Sequence, residues 1–243
     1  MQTEYRSRYV HLVAIDGLAT ETGSDALGLI KDDDYLSDLL SKVKRCQKTL
    51  VKKIITDYYI SLYGPVIAPD VKLHSNNDKD RSFNTVILVY DIQLYDLAQE
   101  IARKLKNDNT FIINVCISDT VLKNKNVINT NMDNVRNVIL NLIRLALPVP
   151  GFISFGLSEF DSFLEDGYTY KAIVYEGKDL DDLSKQTLKG LSEIDNLSET
   201  MVFVNAKYKL LNTFNEAFRA DWIYVLDSYK ENTCFIICKT KEE

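Results

Sequence analysis

The sequence predicts an α/β protein with a parallel sheet flanked by helices in its N-terminal part, one long central helix, and an α+β C-terminal part. Three observations predict it. Residues 85–117 read as strand, helix, strand, and both strands are near-continuous apolar runs that suit a parallel sheet covered on its two faces. Residues 131–149 carry Val135, Val138, Ile139, Leu142, Ile143 and Leu145 to Leu147 at spacings of three and four, the mark of a helix with a broad apolar face. Beyond them, short strands and amphipathic helices alternate to the end of the chain. The expected divisions are therefore 1–130, 131–149 and 150–243.

In chain order, Tyr9–Ile15 reads as a short buried strand ending at Asp16-Gly17. Residues 18–34 are expected to be irregular and exposed, with Asp32, Asp33 and Asp34 forming a solvated turn that starts the next helix. Tyr35 to about Tyr63 has apolar residues at 36, 39, 40, 43, 46, 50, 51, 54 and 55 and reads as an amphipathic helix broken by Gly64-Pro65. Its other face holds Lys42, Lys44, Arg45, Lys48, Lys52 and Lys53, without interleaved aromatics, as a solvated face has. A polar loop over 69–82 leads to strand Thr85–Tyr90, helix Ile92–Lys106 and strand Phe111–Ile117. Residues 118–131 read as a connection into the central helix, which Pro148 and Pro150 end.

After Gly151 comes a short helix with Leu157, Phe160, Phe163 and Leu164 on one face, stopped by Gly167. Strand Tyr168–Tyr175, helix 178–194, strand Thr200–Asn205 and helix Tyr208–Ala220 follow. Strands Asp221–Tyr229 and Thr233–Thr240 read as a hairpin turning at Lys230-Glu231-Asn232.

Composition narrows the function. With 243 residues, 46% of them hydrophobic, the chain can bury a substantial core. A net charge of −6 argues against a general nucleic-acid or membrane-surface binder. No apolar run reaches the roughly 18 residues of a membrane span, and MQTEYRSRY lacks a signal peptide's hydrophobic stretch, so the expected compartment is the cytoplasm. Cys46, Cys116, Cys234 and Cys238 form no CxxC pair, and the last three lie in apolar strand-like runs as small buried thiols. His11 and His74 are too few to suggest a zinc site, and no metal is expected. Motifs for acyl transfer, zinc proteolysis, a Walker A loop or a glycine-rich dinucleotide turn are absent. Glu159, Asp161, Glu165 and Asp166 offer carboxylates, but on an amphipathic helix they read as its wet face; an uncharacterised α/β enzyme is thus the third reading.

The stretch NMDNVRNVILNLIRLALPVPGFISFGLSEFDSFLEDGYTYKAIVYEG, 131–177, resembles the core of the FtsZ/tubulin superfamily. There a central helix joins the nucleotide domain to the activation domain and ends in the catalytic loop. Asp133 to Pro150 matches the family helix in length, and Pro150-Gly151-Phe152-Ile153 stands where PGLI would. LYDLAQEIARKLK is similar to the family's APVIAEIAKELG, and TMVFVN to its GVLVNITGG. The resemblance implies an FtsZ/tubulin-like fold with a reduced, Rossmann-like N-terminal parallel sheet and the family's α+β C-terminal domain. It also implies that the family's first strand and first nucleotide loop are missing here, YVHLVAI matching its second strand. The conserved tail peptide has no counterpart before Glu243.

On the same register the family's working residues are replaced. The catalytic loop's asparagine is Ser154, its first aspartate Gly156 and its second Glu159, which cannot position a hydrolytic water as the family does. Where the signature GGGTGTG would lie, the chain reads Val89-Tyr90-Asp91-Ile92-Gln93, without a glycine and with an acid that would repel phosphate. The implied protein is a degenerate relative, a pseudo-GTPase with no cofactor, acting through contacts with itself or with another FtsZ/tubulin-like cytoskeletal protein. Phe152, Phe155, Gly156, Leu157, Glu159 and Phe160 are the candidate contact residues, the aromatics being equally suited to filling the local core. Asp133 falls where the family's base-contacting aspartate stands; it reads either as a nucleotide contact or as an acid favoured at a helix N-terminus.

Overall fold

The computed structural model describes residues 7–32, 59–71, 73, 83–107, 109–120, 122, 127–146, 157–205, 222–226 and 232–241. In chain order the strands are β1 (Ser7–Ala14), β2 (Tyr59–Tyr63), β3 (Phe83–Asp91), β4 (Thr110–Ile117), β5 (Val127–Thr130), β6 (Tyr168–Glu176), β7 (Leu197–Asn205), β8 (Trp222–Leu226) and β9 (Thr233–Lys241). The helices are α1 (Gly17–Asp32), α2 (Tyr95–Leu105), α3 (Met132–Ala146), α4 (Leu157–Phe163) and α5 (Leu180–Ser192), with a 3-10 turn, Ile92–Leu94, opening α2.

The nine strands form one sheet in the order β2-β1-β3-β4-β5-β6-β9-β7-β8. From β2 to β6 all neighbours are parallel, and β9 runs antiparallel between β6 and β7. The α/β expectation is met: the parallel half, the central helix and the mixed C-terminal half are present in that order. The halves join through a short ladder, Ile128 opposite Tyr170 and Asn129 opposite Lys171. The buried Asn129 side chain reinforces it, donating to the Tyr170 carbonyl at 2.9 Å and accepting from the Leu122 amide at 2.8 Å.

Helices cover both faces. One face packs Val10, Leu12, Ile87, Val89, Val115 and Ile128 against α1, α3 and α4. The other packs Val13, Ile15, Val86, Leu88 and Tyr90 against Ala98, Ile101 and Leu105 of α2, while Leu183 of α5 covers Val202, Val204 and Ile236. The strands of the parallel half are apolar on both sides for this reason. In α3 the residues at apolar spacing, Val135, Val138, Ile139, Leu142 and Ile143, are buried as predicted, and from Val138 to Ala146 burial extends all round the helix to include Asn141 and Arg144.

Four expectations are corrected. Residues 17–32 are helix α1 rather than an exposed irregular stretch. Its composition of glycine, alanine, serine and threonine hid the period, yet Ala19 and Ala26 are buried and Gly23 lets the helix approach Leu12 and Leu62 closely. Tyr59–Tyr63, read as the end of a helix, is edge strand β2, and Gly64-Pro65 ends that strand; the rest of that helix, with its lysine-rich face and Cys46, lies outside the described residues. Val127–Thr130, read as part of a connection, is strand β5. β8 and β9 make no hairpin, because β7 lies between them, parallel to β8 and antiparallel to β9. Helix 208–220 and most of the 69–82 loop also lie outside the described residues. Cys116, Cys234 and Cys238 are buried free thiols, as expected.

Candidate functional site

The parallel half places its strand ends and helix starts along one edge. The chain goes from β1 through α1 to β2 on one side, and from β3 through α2 to β4 on the other. β1 and β3 are neighbours, with Ala14 opposite Val89, and their helices leave on opposite faces. This is a topological switch point, where open α/β sheets take their ligands in the crevice beyond the strand ends.

At this crevice the chain fills its own helix starts. Asp16 follows β1 with φ of 85°, in the left-handed region, and its carboxylate accepts from the Ala19 amide at 2.7 Å. Asp91 ends β3 and accepts from the Gln93 amide at 2.9 Å. Asn131, at the start of α3, accepts from the Asn134 amide at 3.1 Å, and Asn134 in turn accepts from the Val174 amide of β6 at 3.1 Å. Asp16 and Asn131 thus each put a side-chain oxygen on a peptide N–H that the start of α1 or α3 leaves unpaired, while Asp91 caps the 3-10 turn and Leu94, the N-cap of α2, makes no side-chain bond. The flank of β1 is closed by main chain. Val66 donates to the Ala14 carbonyl at 3.0 Å, and a side chain on Gly64 would collide with the Thr20 hydroxyl.

The chemistry of this edge is acidic and quiet. Among the described residues its segments 14–20, 64–67, 90–94, 117–120 and 130–134 carry Asp16, Asp91, Asp119 and Asp133, with no lysine or arginine. Cys116, beneath Asp91, is pushed up to about 12 by burial first and by the Asp91 charge second, so it stays a thiol at neutral pH. Burial raises the Tyr90 phenol as well. Among the described residues no His, Cys, Asp and Glu converge as a metal site would need.

Of the candidates read from the sequence, the described ones lie at opposite ends of the parallel strands, Asp133 at one and Leu157, Glu159 and Phe160 at the other. Asp133 is exposed in the first turn of α3, on the crevice edge; the capping of that helix is done by Asn131 instead. Leu157 and Phe160 are buried in α4, and Phe160 meets Phe111, at the opposite end of β4, edge-on at 6.0 Å. As side chains these two fill the core. Glu159 is half-buried, while Phe152, Phe155, Gly156 and Ser154 lie outside the described residues. α3, about 22 Å long at 1.5 Å per residue, separates Asp133 from the α4 end.

α4 is tied to the C-terminal half by residues the sequence did not single out. Lys239, on β9, is 3% exposed, meets Glu199 at 2.9 Å and Glu165 at 3.0 Å, and lies over the rings of Tyr168 and Phe163. The Tyr170 hydroxyl accepts from the Glu165 amide at 2.6 Å. No sequence rule brings a lysine on the last strand to a glutamate 74 positions earlier. Asp16 was findable, since an aspartate between a strand and a run of small residues is a cap signature.

No family model matches this chain, and no curated protein matches it. Among solved structures, the crystal structure of TubZ from Clostridium botulinum phage c-st is similar to it at 10% identity and a TM-score of 0.34, over 98% of this chain and 93% of that one. So distant a likeness assigns neither a family nor an activity to this chain.

Proposed function

We propose that this chain is a non-catalytic FtsZ/tubulin-like protein, a pseudo-GTPase, that acts through protein–protein contacts. It assembles with itself, or scaffolds or regulates a filament of an FtsZ-like protein. The observation that carries this reading is the crevice: the carboxylate of Asp16 caps the start of α1, and that of Asp91 the 3-10 turn ahead of α2, at the strand ends where an α/β sheet would take a nucleotide's phosphates. Two fixed negative charges there oppose a polyphosphate. Sedimentation velocity tests this, run on the protein alone, with GTP, and mixed with an FtsZ-like filament protein. The expected result is a larger species, or an altered filament, that does not depend on GTP; a monomer in every condition overturns the reading.

A second reading is favoured by the exposure of Asp133 on the crevice edge, outside the cap of its own helix. It is a guanine-nucleotide-responsive protein with an unconventional site. Saturable guanine-nucleotide binding that Asp133→Ala removes would establish it.

A further inference from the structure

The two halves of the sheet meet along the line between β5 and β6, where the ladder is short: Ile128 with Tyr170 and Asn129 with Lys171. β3 and β4, by contrast, stay in register from Asn84 with Thr110 to Asp91 with Ile117. The line is also packed on one face only. On the α3 face a single core crosses it, running from Ile128 and Ile139 to Tyr170 and Phe235. On the α2 face, among the described residues, the core under α2 ends at Val127 and Leu122, and a separate core under α5 begins at Tyr175 and Cys238. Between them Lys171 of β6 stands exposed in mid-sheet. A joint packed on one face can bend about its bare face without parting its core.

Side-chain amides hold this joint from both faces. On the α2 face the buried Asn129 donates to the Tyr170 carbonyl at 2.9 Å and to the Leu122 carbonyl at 3.2 Å, and accepts from the Leu122 amide at 2.8 Å. On the α3 face Asn134 accepts from the Val174 amide at 3.1 Å and donates to Asn131 at 2.8 Å. Tyr170 and Val174 are an even number of residues apart on one strand, so both bonds fall on the β6 edge that faces β5. We propose that Asn129 and Asn134 form a clasp that fixes the angle between the two halves, with α3 as the hinge pin. The shared core keeps the halves together, and the two amides set the angle at which they stand. Both bonds are neutral, so the clasp opens without stranding a buried charge or unfolding either half.

The test is an electron–electron spin distance across the bare face, measured on the full chain. Labels go on Arg103→Cys of α2 and Lys189→Cys of α5, both exposed positions, with Cys46→Ser as background; the other three thiols are buried. The parent is expected to give one narrow distance distribution. In Asn129→Ala/Asn134→Ala the distribution is expected to broaden and shift while the circular dichroism of the folded chain is kept. Asn114→Ala, which removes a buried asparagine of the same face but on β4, away from the line, is expected to leave it where it was. If the double variant does not fold, Asn134→Ala alone is expected to shift the distribution in the same direction. An unchanged distribution in a folded clasp variant overturns the proposal and assigns the angle to the core. A broad distribution in the parent, or an equal shift in Asn114→Ala, overturns it as well.

Discussion

Lys239 is a buried cation that joins three elements, since Glu165 follows α4, Glu199 lies on β7 and Lys239 itself is on β9. Burial pulls its ammonium down, and the hydrogen bonds and charges of Glu199 and Glu165 outweigh that, so the net shift is upward. Its contribution to stability is full below about pH 10.4 and lost as pH rises through the higher folded-state value. Removing both counter-charges, as Glu165→Gln/Glu199→Gln, strands that cation and should cost about 3–5 kcal/mol. Lys239→Met should cost less, about 1–2 kcal/mol, because the Glu165 side chain is already 56% exposed and can remain hydrated. Urea midpoints of the two variants decide between these values. The buried thiols add a second alkaline effect. Burial pushes Cys116 and Cys238 up to about 12 and raises Cys234 too, whereas an unfolded chain ionises them from about pH 8.5. Above that pH the folded state holds more protons, so stability should fall by about 1.4 kcal/mol per pH unit per thiol. Cys234→Ala/Cys238→Ala should start less stable and show a flatter pH profile between 8.5 and 10.5.

The elements depend on local devices of unequal visibility. α1 begins at an aspartate that both caps the helix and bears a left-handed backbone. Asp16→Ala loses the cap and leaves a side chain at φ 85°, so it should cost about 2 kcal/mol; Asp16→Gly keeps the backbone at ease and should cost less than half of that. α5 lies so close to β6 that a side chain on Gly190 would run into the Tyr175 hydroxyl, and Gly190→Ala should cost about 1–3 kcal/mol by overpacking. Elements with large apolar side chains were legible in the sequence: β3, β4, α2 and α3 stand where their periodicity puts them, within a few residues. α1 was not, because its buried face is built from alanine and glycine, and close backbone approach leaves no hydrophobic period. β2 and β5, at five and four residues, are too short to display one. The order β6-β9-β7-β8 was illegible for another reason: adjacency in sequence favours a β8–β9 hairpin, and only the antiparallel fit of β9 to both β6 and β7 overrides it.

At the scale of the molecule, one continuous sheet carries a crevice edge capped by the chain's own carboxylates and, beyond the length of α3, a helix pinned to the C-terminal half. Sequence reasoning reached Asp91 as an obstacle to phosphate and Asp133 as an ambiguous acid. It did not reach the pairing of Asp16 with Asp91, which depends on β1 and β3 being neighbours across a gap of about 70 residues of chain. On the function proposed above, this edge does not take a guanine nucleotide. Isothermal titration of the purified protein with GTP and with GDP tests it most directly. The account predicts no saturable heat down to millimolar affinity, about −4 kcal/mol of binding free energy. Micromolar binding would contradict it and make Asp133→Ala the next variant to titrate.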